Sequence, residues 1–372
     1  MALELSAFSP RRVFARAASG IDGPLLAIAT ALVSLGLATL YSASYDLPSR
    51  VNGQALNLLV AFALMWVVAQ TPPQTLMRFA VPAYFAGLVL LVAVALFGEV
   101  VNGARRWLHV GVTRVQPSEM MKIAMPLMLA WWFHRHEAGL RAREFFVAGM
   151  LLAVPVLLIA RQPDLGTAVL VAAAGFYVIF FAGLSWKVLA GLGAAALASL
   201  PPVWGLLHDY QRRRILTLLD PTQDPLGAGY HIIQSTIAVG SGGITGKGWL
   251  KGTQTHLEFI PEKHTDFILA VFSEEFGLIG VGLLLVLYLL LIARGLMIAA
   301  NAPTFFTRLL AASITLIFFT YAFVNIGMVS GILPVVGVPL PFVSYGGTAL
   351  ATLFIGIGIL MSTQKHRQLV QT

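Results

Sequence analysis

Long runs without a charged residue constrain this chain most. Leu25–Leu40, Leu278–Ala293 and Leu309–Phe323 contain no Asp, Glu, Lys or Arg. With its flanks, each run reaches the roughly 20 residues needed to cross a hydrocarbon core of about 30 Å. Backbone polar groups in lipid are satisfied only by helices or closed barrels, and unbroken apolar runs select helices. The whole sequence agrees, being 58% hydrophobic and 11% charged, where a soluble domain carries about 25% charged residues. The expected fold is an all-α integral membrane protein. Its ten transmembrane helices are predicted near 22–44, 55–71, 77–98, 117–134, 145–160, 167–183, 186–207, 266–294, 306–330 and 345–362.

Ten spans place both termini on one side. Arg11, Arg12, Arg16, Lys365 and Arg367 make that side cytoplasmic by the positive-inside rule. Ser9-Pro10-Arg11-Arg12-Val13-Phe14 is similar to a twin-arginine export signal. The apolar segment after it is too long for a signal peptide, and these arginines read better as cytoplasmic anchors. The chain is read as one polytopic domain, 1–372. It has a cytoplasmic N-terminus (1–20), a long extracytoplasmic loop (208–265) between spans seven and eight, and a cytoplasmic tail (363–372). Within the long loop, Tyr230–Val239 is too short to span and suits the membrane interface.

With no cysteine, disulfides, thiolate metal sites and thiol nucleophiles are excluded. The net charge of +8 suits an anionic membrane surface or an anionic substrate without choosing between them. Against the usual charge bias, Arg105, Arg106 and Arg114 crowd a short outer loop. The long loop adds Arg212, Arg213, Arg214, Lys247, Lys251 and Lys263. Most of the acids lie on the same face, among them Asp164, Asp209, Asp220, Asp224, Glu258, Glu262 and Asp266.

The glycine-rich run from Gly240 to Gly248 fails as a P-loop, because Ser241 and Gly248 stand where Gly and Ser or Thr are required. It reads as a loop that brings backbone close to something else. Histidines lack metal-ligand spacing. A hard divalent cation bridging carboxylates and a diphosphate is compatible with the sequence, which does not require one.

Four outer-facing strings combine polar residues with helix breakers. Asn102-Gly103-Ala104-Arg105-Arg106-Trp107 leads through Gln116, Pro117 and Ser118 to Glu119 and Lys122. Pro117 suits a first helical turn and Ser118 a cap, while Glu119 and Lys122, three apart, share a helix face. Charges inside a span mark functional sites by default; a self-neutralising pair is the alternative. Arg161-Gln162-Pro163-Asp164-Leu165-Gly166-Thr167 reads equally as a tight turn or a charged site. Pro261-Glu262-Lys263-His264-Thr265-Asp266 precedes span eight. Asp266 there is either a helix N-cap or a partly desolvated base, with Lys263 helping to keep it charged. Asn325 to Gly347 interrupts an apolar path with Pro334, Pro339, Pro341 and several glycines, which predicts broken backbone lining a cavity.

Together these strings resemble the SEDS (shape, elongation, division, sporulation) family of cell-wall glycosyltransferases. The matching pieces are G-A-R-R-W, Q-P-S-E-x-x-K, Q-P-D-L-G-T, D-P-x-G-x-G-Y-x-x-x-Q-S, P-E-K-H-T-D-F and P-x-x-G-x-P-L-P-F-x-S-Y-G-G, in order along nearly the whole chain. Val336–Pro341 and Pro261–Asp266 look more like the rod-shape branch than the division branch. The resemblance implies polymerisation of lipid II into β-1,4 glycan at the outer face of the bacterial cytoplasmic membrane, with undecaprenyl diphosphate leaving. It implies a class B penicillin-binding protein and other elongation-complex proteins as partners, and no nucleic acid. It places the essential aspartate on Asp266 and the family's Glu/Lys pair on Glu119 and Lys122, expected as catalytic. Gln116, Ser118, Arg161, Arg105, Arg106, Arg212, Arg213, Lys263, His264, Thr265 and Ser344 are the expected substrate and diphosphate contacts. A lipid II flippase is the alternative reading. Its polar handling should be comparable on both faces, whereas these strings gather on one.

Overall fold

The computed structural model describes residues 20–45, 47–101, 104–110, 113–206, 212, 216–218, 220–223, 227–257, 259–260 and 262–367. Arg213 lies outside the described residues, as do Arg11, Arg12, Arg16, Arg214 and the Ser9–Phe14 stretch.

Among the described residues, ten long helices fall where the apolar runs predict them. They are α1 (Gly23–Ala43), α2 (Pro48–Gln70), α3 (Pro73–Phe97), α4 (Pro117–Arg135), α5 (Ala142–Arg161), α6 (Leu165–Phe181), α7 (Trp186–Leu206), α10 (Ile268–Ala300), α11 (Phe305–Val329) and α12 (Gly347–Lys365). Seven of them are long and apolar enough to cross a membrane. The short elements are a three-stranded sheet of β1 (Glu99–Val101), β2 (Ala104–Val110) and β3 (Thr113–Val115), and the helices α8 (Ala228–Ser241) and α9 (Thr253–His256).

Local chemistry sets the helix starts. Proline occupies the first turn of α1, α2, α3 and α4, where its missing N–H is not needed. Asp22 caps α1 through the Leu25 N–H at 3.0 Å and also pairs with Arg294 of α10 at 2.5 Å. Asp164 caps α6 through the Thr167 N–H at 3.2 Å. At the start of α4 the cap position belongs to Gln116, which makes no side-chain cap bond. Ser118 is therefore inside the first turn and does not cap it.

The bundle is built around α11, which packs against α10, α6, α4 and α12. Most of its side chains are buried, whereas α7 is exposed along its length and apolar on every side, as a lipid-facing helix is. The Tyr230–Val239 stretch is helical. It forms most of α8, which packs on α10 and the end of α11, with the Ser235 hydroxyl donating to the Val329 carbonyl at 3.1 Å.

Two places break the helical ladder. The first is inside α10, where Gly277 adopts φ 61° and ψ −163°. The glycine-rich run 240–248 closes this gap. Its Lys247 and Gly248 N–H groups donate to the Glu274 and Glu275 carbonyls at 3.0 Å each. Its Gly243 and Ile244 carbonyls accept from the Leu278 and Ile279 N–H groups at 2.9 and 3.1 Å. Backbone meets backbone so closely that a Cβ on Gly242 or Gly246 would stand 2.1 Å from a carbonyl oxygen of α10. The run that fails as a P-loop is thus the backbone patch for a broken membrane helix, as buried irregular backbone requires. The second break is the segment 330–346 between α11 and α12, irregular as predicted. Its Val338, Leu340, Phe342 and Val343 are buried, and it passes so close to α1 that a Cβ on Gly36 would stand 2.6 Å from the Val343 Cα.

Candidate active site

The segment 262–267 lies between α9 and α10, just outside the hydrocarbon-length part of α10. The cap position of α10 is Phe267, with no side-chain cap bond, so Asp266 is not spent as a helix cap. Instead its half-buried carboxylate faces the second break: a Cβ on Gly337 would meet its Oδ2 at 3.3 Å. The Asp266 carbonyl accepts from the Asn325 amide of α11 at 2.8 Å, and the same amide donates to the Val338 carbonyl at 2.7 Å.

Burial raises the Asp266 pKa from the ordinary carboxylate range to about 7. The charge and hydrogen bond of Glu262 add to the rise, and the Arg106 guanidinium opposes it. The cation that steadies Asp266 is therefore Arg106. Lys263, expected in that role, turns away: its buried ammonium donates to the Thr255 carbonyl at 3.2 Å and stands 5.4 Å from the Tyr45 ring centre.

Strand alternation explains why two adjacent arginines behave differently. Consecutive residues of β2 project to opposite faces, so Arg105 is exposed while Arg106 is half-buried. Arg106 donates to the Pro163 carbonyl, and its Nε is buried without a partner among the described residues. The Arg161–Thr167 turn thus holds Arg106 by its backbone. Gln116 donates to Asp164 at 2.9 Å, locking the start of α4 to the start of α6, and Arg161 ends α5 exposed.

Glu119 and Lys122 form a buried ion pair at 2.5 Å, 6% and 1% exposed as residues. Lys122 also donates to the Tyr321 hydroxyl, which reaches the second Glu119 oxygen at 3.4 Å. Tyr321 and Asn325 are four apart on α11 and share one face of it, roughly 6 Å apart along the axis. That face carries the contacts to both the Glu119/Lys122 pair and Asp266. Tyr321 was missed by the sequence reading because it sits in an ordinary apolar run. Asn325, a polar residue in the last turns of that apolar helix, was the available signal there, and Glu262 was read only as one of the acids of its face.

The remaining expected contacts hold loops together. The Ser344 hydroxyl donates to the Thr265 carbonyl at 2.7 Å and accepts from the Leu340 N–H at 2.8 Å. His264 meets the Ser44 hydroxyl at 3.1 Å through Nδ1, and the Thr265 hydroxyl donates to the Glu262 carbonyl at 3.4 Å. Arg212 caps α7, donating to the Trp204 and Gly205 carbonyls at 3.0 and 2.7 Å. Among the described residues, no group of three or more His, Asp or Glu is placed to hold a metal ion.

A bundle of long apolar helices, with a half-buried carboxylate and a half-buried guanidinium between them, is that of a multi-pass membrane protein. The family described as cell cycle protein, comprising FtsW, RodA and SpoVE, matches residues 24–369, and the chain belongs to it. It is 50% identical over 351 residues to the peptidoglycan glycosyltransferase MrdB of Escherichia coli (strain K12), covering 94% of this chain and 95% of that protein. It is 35% identical over 358 residues to the probable peptidoglycan glycosyltransferase FtsW of Geobacter metallireducens, covering 92% and 94%. Among solved structures, it is similar to a chain of a peptidoglycan synthase complex of coordinated polymerization and crosslinking. The TM-score is 0.81 with 36% identity, over 93% of this chain and 98% of that one. It is also similar to the rod shape determining protein RodA of Thermus thermophilus, with TM-score 0.71 and 30% identity over 93% and 97%.

Proposed function

We propose that this chain is a peptidoglycan glycosyltransferase that joins lipid II units into glycan strands for cell elongation, with Asp266 as its general base. One arrangement supports the assignment of the base: the Asp266 carboxylate stands just before the membrane helix α10 and faces Gly337, where burial pushes its pKa up to about 7 against the opposing charge of Arg106. Near neutral pH such a group is partly ionised and is a stronger proton acceptor than an ordinary carboxylate. The carboxylate takes the proton from the attacking sugar hydroxyl, whose oxygen bonds to the anomeric carbon. The bond from that carbon to the diphosphate breaks, and undecaprenyl diphosphate leaves. Among the described residues the Arg106 Nε has no partner and the guanidinium donates to the Pro163 carbonyl, and it is the cation we assign to the departing diphosphate. Glu119 and Lys122, buried and bonded to Tyr321, hold α4 against α11 and so fix the site's floor without touching sugar.

The ten helices are read as ten spans of one membrane domain with cytoplasmic termini, the site opening outside the bacterial cytoplasmic membrane. A class B penicillin-binding protein supplies crosslinking, in line with the synthase complex that the chain resembles.

The test is polymerisation of lipid II in detergent by the purified complex, with the partner's own catalysis disabled. Asp266→Asn is expected to lower the rate about 10²–10⁴-fold. A parental rate overturns the base assignment. A parent that makes no glycan overturns the enzyme reading and returns the flippase, which has no bilayer to work across in detergent.

A further inference from the structure

We infer that Asn325 is a positioning residue for Asp266: its side-chain amide ties the peptide of the base to the broken segment 330–346 and so sets where the carboxylate stands. The inference rests on Asp266 being the base.

Asn325 is fully buried in the last turns of α11. A buried amide without partners is costly, so its bonds reveal its purpose. Both acceptors it meets are backbone carbonyls, Asp266 at 2.8 Å and Val338 at 2.7 Å. Carbonyls only accept, so the NH₂ group must face them and the amide's orientation is fixed by the network. Both of its N–H bonds are then committed, and Oδ1 is left buried with no partner among the described residues. An amide kept at that cost, with its acceptor unused, serves its two donor bonds.

Those bonds join two segments that the chain keeps far apart, the residues just before α10 and the loop after α11. Val338 follows Gly337, whose φ of 71° favours glycine and whose missing side chain leaves room for the Asp266 carboxylate. Asn325 therefore holds the base from behind while Gly337 leaves room in front. Arg106 and Glu262 act on this carboxylate. Arg106 makes no described contact with the peptide that Asn325 holds, while the Phe267 N–H of that peptide donates to the Glu262 carbonyl at a long 3.4 Å, so the short bond to Asn325 is the stronger hold on it. Without the amide, the Asp266 carbonyl loses its partner and the peptide turns to find another, taking the carboxylate toward water. A displacement of about 1 Å at a reacting group can cost on the order of 10²-fold in rate.

The experiment compares parent, Asn325→Leu and Asn325→Ser in the purified complex, reading kcat and KM for lipid II polymerisation across pH 5–9, with folded protein quantified by thermal unfolding. Asp266→Asn runs in parallel. Asn325→Leu is expected to lower kcat roughly 10–100-fold with KM within about threefold, and to move the acid limb to lower pH because the carboxylate is better solvated. Asn325→Ser keeps one donor, falls between, and decides the question by the same criteria if the leucine variant does not fold. A parental kcat, or a loss that follows the folded fraction with an unmoved acid limb, overturns the inference. If Asp266→Asn is fully active, the base assignment fails and this inference with it; if Asp266→Asn is inactive while both Asn325 variants are parental, only this inference fails.

Discussion

The two breaks in the membrane helices are repaired by different means. At Gly277 of α10, the freed N–H and carbonyl groups are met by other backbone groups, those of the 240–248 run. Along 330–346 much of the work falls to side chains: Asn325 on Val338, Ser344 on Leu340 and Tyr288 on Pro341, the last at 2.7 Å. A backbone patch demands glycine and a fixed path, and here the carboxylates beside it are bound by side chains of their own, Glu274 by Lys247 and Thr253 and Glu275 by Ser42. A side-chain patch brings amides and hydroxyls into the bundle, where they can also hold a reacting group. Asp266 stands beside the second break.

The contrast predicts that the first break fails by losing the fold and the second by losing the reaction. The largest effect is expected at Gly246, with φ 79° and no room for a Cβ beside the Glu275 carbonyl. Gly246→Val should cost about 4 kcal/mol or more, read as loss of folded protein in thermal unfolding and as poor membrane yield. A variant as stable as the parent would end the idea that the run patches α10.

Next comes Ser344→Ala, which leaves the Leu340 N–H and Thr265 carbonyl without their hydroxyl. A stability loss of about 1–3 kcal/mol is expected, together with a polymerisation rate that falls further than the folded fraction. Equal falls would make Ser344 a brace of the loop alone.

The smallest effect is on pH. The Asp266 pKa of about 7 is raised by burial and by Glu262 and lowered by Arg106. The base works when ionised, so polymerisation should rise with pH through an acid limb near 7. Glu262→Gln removes a raising charge and should move that limb down; Arg106→Gln removes a lowering charge and should move it up, besides slowing departure of the diphosphate. Rate–pH profiles of the two variants moving the same way would contradict the arrangement.

Much of this was legible in the order of residues. Hydropathy is a local property, and it located ten helices to within a few residues for most of their ends; α2 begins seven residues before its predicted start. Prolines and glycines likewise announced the 330–346 break, and the isolated polar strings pointed to Asp266 and to the Glu119/Lys122 pair. Partnership was another matter. Charge alone suggested Lys263 beside Asp266, but an ammonium three residues away can swing to the Thr255 carbonyl, and it does. The run 240–248 announced close approach without saying to what.

By itself, then, the sequence determined a polytopic helical membrane protein and the short polar strings that interrupt its apolar runs, because burial in lipid selects composition residue by residue. Tertiary structure alone decided that Arg106 and not Lys263 steadies Asp266, that Tyr321 completes the Glu119/Lys122 pair, and that one face of α11 serves both. Such contacts join residues from about 60 to 200 positions apart, and a side chain's nearest partner in space is fixed only when the helices that carry it have packed.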